Sequence, residues 1–404
     1  MVDNLSTGGS SRFRKSHFLK SDMQLFILVN MLGSRVLVAL CIAPLARADV
    51  TKDYDKRLKT AITLDHPTTG ASITPDGRTF LKIAHVDSTT GPQIVEVIGN
   101  NHTLIPYPDE EWNSWNASTD TPADSEYKYV STNAQRIGPD GKLWVVDSGT
   151  LQGFPNSSKL ISFDLETNKV DRTYYLGDVT TTGGSLNDVR FNGRYAYLTE
   201  YTIGSLIVLD LETGHARMVL RGHHSVVASM PLSAEGHLLR SSSTGQFQYI
   251  HADQLEVSPS GQYLYYQPGS GYMSRIQTKY LNGALHNRTM AEIPPNYVEP
   301  FALTPSTGGT AIDSNGNIYY SDGDRQEIRV LAPNGTTSLL VRDHRLLWVD
   351  ALWLDTQQRL WMCASQLNRG DLFLQPGNQD NTIEKPIYVY IIDVGHSPPT
   401  LDHA

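Results

Sequence analysis

Six positions stand out because each precedes the same kind of phrase by the same interval. Thr69, Asn133, Asn187, Asp253, Gly308 and Asp350 each lie four residues before an apolar residue that leads into a turn. Two carboxylates, two carboxamides and a hydroxyl gathered at one place could do three things. They could hold a hard cation, because Ca²⁺ and Mg²⁺ take oxygen ligands. They could orient the polar end of an organic molecule in a mostly apolar pocket. They could also simply bond local backbone, as Asn and Asp do in turns. The residue types leave all three open.

The element that must gather them is the phrase itself. It reads Ile73-Thr-Pro-Asp-Gly-Arg-Thr-Phe80, Ile137-Gly-Pro-Asp-Gly-Lys-Leu-Trp144 and Phe191-Asn-Gly-Arg-Tyr-Ala-Tyr197. It returns as Val257-Ser-Pro-Ser-Gly-Gln-Tyr-Leu-Tyr265, Ile312-Asp-Ser-Asn-Gly-Asn-Ile-Tyr319 and Leu354-Asp-Thr-Gln-Gln-Arg-Leu-Trp361. Six copies at intervals of roughly 40–70 residues are the mark of an all-β, six-bladed β-propeller. In that architecture the strand before the turn is the innermost of its blade, so the six positions would surround one axis. Further strands are predicted at residues 79–86, 93–98, 143–147, 159–164, 195–201, 206–210, 263–267, 318–322 and 327–331. The apolar run at 386–394 should pair with residues 58–64, so that both chain ends complete one blade and protect its edges.

Bulk properties narrow the partners. The 404 residues carry 42 acidic and 33 basic groups, a net charge of −9. The one basic cluster lies at residues 12–20, outside the repeats, so a nucleic-acid partner is not expected. Arg12, Arg14, Lys15 and Lys20 precede an apolar stretch at 25–45, and Ala46-Arg47-Ala48 fits a small-x-small cleavage site. Residues 1–48 are therefore expected to be a leader or signal peptide and 49–404 a single propeller domain. Asn30, Ser34 and Arg35 interrupt the apolar stretch, so membrane attachment is expected only through an uncleaved leader. The protein is expected to be secreted or to reside in the secretory lumen. Sequons at Asn101, Asn116, Asn156, Asn287 and Asn334 are the expected glycosylation sites. Cys41 falls in the leader, which leaves Cys363 alone and rules out a disulfide within the mature chain.

Covalent and cofactor chemistry lack a motif. There is no Gly-x-Ser-x-Gly elbow, His-Glu-x-x-His, phosphate loop or cysteine pair. Aromatic residues on loops are candidates for a pocket wall: Trp112, Tyr201 and Trp348 first, then Trp115, Tyr272 and Tyr297. Trp112 and Trp115 lie in a polar insertion at 107–127, a candidate rim or lid. Thr69 would join the wall residues in contacting a substrate.

Three stretches carry a family likeness: Gly138-Pro-Asp-Gly-Lys-Leu-Trp-Val-Val-Asp-Ser-Gly149, Ser258-Pro-Ser-Gly-Gln-Tyr-Leu-Tyr-Tyr266 with Ser274-Arg-Ile276, and Arg359-Leu-Trp-Met-Cys-Ala-Ser-Gln-Leu-Asn-Arg369. They resemble the major royal jelly/yellow proteins and the wider SMP-30/gluconolactonase-like propellers over roughly residues 60–395. In the lactonase branch a Glu, an Asn and an Asp from three blades hold a divalent metal. Only Asn187, in Ser185-Leu-Asn-Asp-Val189, matches; Thr69 and Gly308 stand at the other two places. Asp253 and Asp350 could still offer carboxylates to Ca²⁺ or Mg²⁺. As a whole chain, a secreted, Tyr-rich propeller of this kind is similar in type to fungal hetero-Diels–Alderases of tropolone meroterpenoid biosynthesis. There an o-quinone methide adds across an alkene of a humulene-type sesquiterpene. This likeness implies an apolar small-molecule substrate, no cofactor, and Asn133, Asn187, Asp253 and Asp350 as the catalytic groups at its polar end. The alternatives it leaves are a yellow-like binding protein and a metal-dependent lactonase.

Overall fold

The repeated phrase folds as the same hairpin six times. The computed structural model describes residues 26–30, 37–41, 54–149, 154–180, 185–287, 289–374 and 381–403. Each hairpin joins the first and second strands of a four-stranded antiparallel sheet. The first strands are Thr68–Ile73, Thr132–Ile137, Leu186–Asn192, Ala252–Val257, Thr310–Ile312 and Val349–Leu354, one for each of blades 1 to 6. The turn residues explain themselves. Gly77, Gly141, Gly193, Gly261 and Gly316 take φ of +96°, +74°, +61°, +71° and +82°, a region open to glycine at little cost. In blade 6 Gln358 takes the same place at +64°, a conformation that costs a side-chain-bearing residue roughly 1–2 kcal/mol. Asp355 offsets part of that cost by accepting the N–H groups of Gln357 and Arg359, both at 2.9 Å.

The ring closes as expected. Blade 6 runs Val349–Leu354, Arg359–Ala364, Ile387–Asp393 and then Lys59–Leu64, so the strand that precedes blade 1 in the chain is the last strand of the last blade. Leu64 pairs with Ile387 and Lys59 with Ile391. The apolar layers lie between neighbouring blades. Ile207, Leu209 and Phe191 of blade 3 meet Val146 and Leu160 of blade 2, and Leu352 and Met362 of blade 6 meet Tyr319 and Ile328 of blade 5. Each such side chain contributes roughly 1.5–3 kcal/mol by leaving water. A single nine-residue helix, Thr278–His286, follows the third strand of blade 4 and buries Leu281, Ala284 and Leu285 against blades 3 and 4.

The chain divides after Lys52. On the N-terminal side Phe26–Asn30 pairs antiparallel with Leu37–Cys41. The cleavage motif at 46–48 and the basic cluster at 12–20 lie outside the described residues. Among the described residues no helix is long and apolar enough to cross a membrane. The five sequon asparagines are all exposed, and Cys363 is buried without a disulfide partner.

Candidate functional site

The six aligned positions converge because five of the six first strands bulge there. Register with the second strand slips between Thr68 and Gly70, Thr132 and Ala134, Leu186 and Val189, Ala252 and Leu255, and Val349 and Leu352. The residues inside those slips include Thr69, Asn133, Asn187, Asp253 and Asp350. A β-bulge removes a residue from the ladder and re-aims its side chain. In blade 5 the place is taken by Gly308, just ahead of its strand. Its own reason is steric: a Cβ there would meet the carbonyl oxygen of Val349 at 2.3 Å.

All six positions form the floor of one cavity of about 630 Å³. Its wall is mixed: Leu232, Ile250, Trp348, Leu372, Phe373, Val86 and Trp115 are apolar or aromatic, and His85, Gln93, Asn113, Ser131 and Thr132 add polar groups. Tyr201 and Trp348 line it, as the sequence suggested. Trp112 does not. It turns into the layer between blades 1 and 2, its ring 5.1 Å from that of Tyr129 and 5.4 Å from that of Phe163. Trp115, three residues on, reaches the cavity in its stead. Tyr272 and Tyr297 are exposed and outside it, and Tyr297 stacks on Tyr280 at 3.8 Å.

The floor is electrostatically unsettled. Asn133 donates a side-chain N–H to the Asn187 carbonyl, which leaves further amide N–H groups free for a ligand. Asp350 accepts from the Trp348 indole at 3.0 Å and the Ala351 N–H at 3.1 Å. Even so, burial pushes its carboxyl up to about 7. Asp253 accepts from Gln254 Nε2 at 2.6 Å, and burial, with the Asp350 charge adding to it, raises it well above the usual carboxylate range. Both keep part of their surface on the cavity, yet protein encloses the rest. The Thr69 hydroxyl is buried and, among the described residues, has no hydrogen-bond partner.

Lys82 was not anticipated. It comes from the second strand of blade 1, Thr79–Ile83, opposite Gly70, and faces the same cavity. Burial lowers its ammonium to about 8, partly offset by the Asp350 charge. A lysine inside an otherwise apolar strand, Thr79-Phe-Leu-Lys-Ile83, was the available signal.

Beneath the floor the same strands build something different. A narrow channel of about 40 Å³ is lined by Gln135, Arg136, Asp188, Arg190 and Trp353 among others. Arg190 is clasped by Asp188 at 2.6 Å and by Glu256 at 2.9 and 3.0 Å. Burial works against its charge, and the two carboxylates more than offset it. Arg136 pairs with Asp402 and lies 5.5 Å over the Trp353 ring, and the His403 ring packs, tilted, 4.1 Å from that same ring. His403 also meets the Leu354 carbonyl at 2.7 Å.

The donor set argues against a divalent metal. The floor offers only two carboxyls, Asp253 and Asp350, and the Lys82 ammonium faces the same cavity. Thr69 and Gly308 stand where the lactonase pattern needs a carboxylate each. Among the described residues no three His, Cys, Asp or Glu side chains cluster to hold an ion.

Comparison with known proteins agrees with this architecture. A luciferin-regenerating enzyme shares 11% identity at a TM-score of 0.50, covering 85% of this chain and 99% of that one. A protein described as a putative gluconolactonase shares 14% identity at a TM-score of 0.50, covering 86% and 94%. At these identities the likeness speaks to the six-bladed propeller fold alone. No curated protein matches the chain in sequence. The family model described as major royal jelly protein matches residues 130–382, well over half of the chain, across blades 2 to 6. The chain belongs to the major royal jelly protein family.

Proposed function

We propose that the axial cavity binds an apolar organic molecule by an oxygen-bearing end and directs its cyclisation, in the manner of a hetero-Diels–Alder addition between an o-quinone methide and a humulene-type alkene. The observation that carries this reading is the contrast within one cavity. Five bulged positions, Thr69, Asn133, Asn187, Asp253 and Asp350, supply a polar floor, and aromatic and aliphatic side chains supply much of the wall. A cycloaddition requires no nucleophile and no metal. It requires the two partners held in near-attack geometry, and donors placed where negative charge grows on the enone oxygen. Asn187 and Asn133 offer amide N–H groups. Asp253 and Asp350, kept toward the neutral acid by burial, can donate an O–H at neutral pH. Tyr201 and Trp348 would hold the flat partner. The substrate is a small apolar molecule, and no cofactor is invoked.

The test supplies the quinone-methide precursor and the alkene with and without protein. Chiral chromatography of the dihydropyran should give one dominant stereoisomer with native protein and the uncatalysed mixture with heat-denatured protein. Identical mixtures in both would remove the cyclase reading and leave a binding protein of the same family. We further propose that the mature protein works in the secretory lumen or outside the cell, glycosylated at the exposed sequons. N-terminal sequencing and an endoglycosidase mass shift check this; an intact leader and no shift would contradict it.

A further inference from the structure

We propose that Lys82 is a carbonyl-capturing nucleophile, so that the cavity takes apolar aldehydes or ketones and holds them reversibly as an imine on the Lys82 nitrogen. This rests on the cavity's being an organic-ligand site and not on any cyclisation.

The argument begins with a comparison of two lysines. Lys159, fully buried in blade 2, is completely engaged. Its ammonium meets Asp147 at 2.7 Å and the Lys128 carbonyl at 3.1 Å, and the side chain is 0% exposed. That is how a structural lysine is accommodated, since an unpaired buried charge is costly. Lys82 lies just as rigidly in a blade, between Leu81 and Ile83 at 0% and 4% exposure. Yet among the described residues its ammonium makes no hydrogen bond or ion pair, and it faces a cavity large enough for a ligand. Counting three residues along the second strand from the partner of each turn residue, the other blades carry Val146, Thr199, Gln267, Ser321 and Cys363 at the equivalent place. The fold therefore has no need of a cation there.

The surroundings suit amine chemistry. Asp350 faces Lys82 from blade 6, and His85 follows it at the end of its own strand. Burial favours the neutral amine at Lys82 and the neutral acid at Asp350, so nucleophile and proton donor coexist near neutral pH. The balanced step is as follows. The Lys82 nitrogen forms a bond to the carbonyl carbon, and the proton it loses goes to the carbonyl oxygen, giving a carbinolamine. The Asp350 carboxyl donates a proton to that hydroxyl, which leaves as water. The nitrogen loses its remaining proton to the Asp350 carboxylate as the C=N bond forms, and the acid is regenerated. No electrons enter or leave.

The test treats the intact protein at pH 7 with cinnamaldehyde and cyanoborohydride, which reduces an imine to a stable secondary amine, and maps the labelled peptides. Lys82 should be labelled about tenfold faster than exposed lysines such as Lys59 and Lys169, because more of it is neutral. Cinnamyl alcohol, which has no carbonyl, should slow that labelling by occupying the cavity. Lys82→Met should abolish the fast label while leaving the surface labels as they were. Labelling of Lys82 no faster than of Lys59, or no protection by cinnamyl alcohol, overturns the proposal; both are read on the wild-type protein and do not depend on a variant folding. An unlabelled Lys82 in a protein that controls cycloadduct stereochemistry would sink this inference and spare the cyclase reading. A fast-labelling Lys82 without stereocontrol would do the reverse.

Discussion

The two sides of the ring floor are built from the same six strands and differ in how their charges are paired. On the strand Leu186–Asn192, Asn187 faces the wide cavity and Arg190, three residues on, lies in the narrow channel. On Ala252–Val257, Asp253 lines the cavity and Glu256, three residues on, holds Arg190. Below, the Arg190 cation is held by Glu256 through two bonds and by Asp188 through one, although Arg136 Nε, Asp402 Oδ1 and Trp353 Nε1 find no hydrogen-bond partner among the described residues. Above, Asp253, Asp350 and Lys82 have shifted toward neutrality, and the Thr69 hydroxyl is orphaned. Below the floor the buried charges are paired, even where single polar atoms are not; a cluster of buried groups held near neutrality on an open cavity is what a ligand site looks like before its ligand arrives.

The comparison can be broken most forcefully from below. Arg190→Met would leave Glu256 and Asp188 without their cation, a loss of roughly 3–5 kcal/mol for a broken buried pair. Chemical denaturation should show it; a variant as stable as wild type would mean that the lower network is not structural. Asn187→Ala should do the opposite, leaving stability within about 1 kcal/mol while eroding the rate or stereochemistry of the cyclisation by about tenfold. A variant with wild-type product ratio and rate would remove Asn187 from the site.

A pH experiment sharpens the contrast on the upper side. The Asp350 carboxyl is raised in the fold, so the native state keeps a proton that the unfolded chain gives up between pH 4 and 7. Its contribution to stability is present below about pH 4 and lost as pH rises through about 7. Asp350→Asn should therefore raise Tm at pH 8, by about 2 °C, and leave it nearly unchanged at pH 4. A destabilised variant at pH 8 would show that the carboxylate is paired after all. The smallest effect is expected from a chelator, which should leave cyclisation intact. Complete loss that Ca²⁺ restores would return the metal-hydrolase reading.

The floor was legible in the sequence because a repeat supplies a coordinate system. Once Ile73, Ile137, Phe191, Val257, Ile312 and Leu354 are superposed, the bulge residues fall into register without any knowledge of distance. The strand bounds followed from the same periodicity, and so did closure by Lys59–Leu64. What escaped lay off the innermost strand or between repeats. Lys82 belongs to a second strand, which the alignment did not index. Leu232, Ile250, Leu372 and Phe373 come from long connections that meet across the ring, where Arg240 pairs with Leu374 and Ser241 with Phe373. No local pattern foretells such a meeting. Trp112 and Trp115 were indistinguishable as residue types, and only the packing of Trp112 on Tyr129 and Phe163 separates their roles. The buried pair of Arg136 with Asp402 joins residues 266 positions apart.

The central claim is that the uncompensated floor exists for a ligand's oxygen. The most direct measurement is a crystal structure of the protein soaked with a benzo-fused dihydropyran cycloadduct. The adduct's oxygen should lie within hydrogen-bonding distance of Asn187, Asp253 or Asp350, its hydrocarbon portion against Trp348 and Phe373. An adduct bound elsewhere, or a floor filled by a coordinated metal ion, would contradict it.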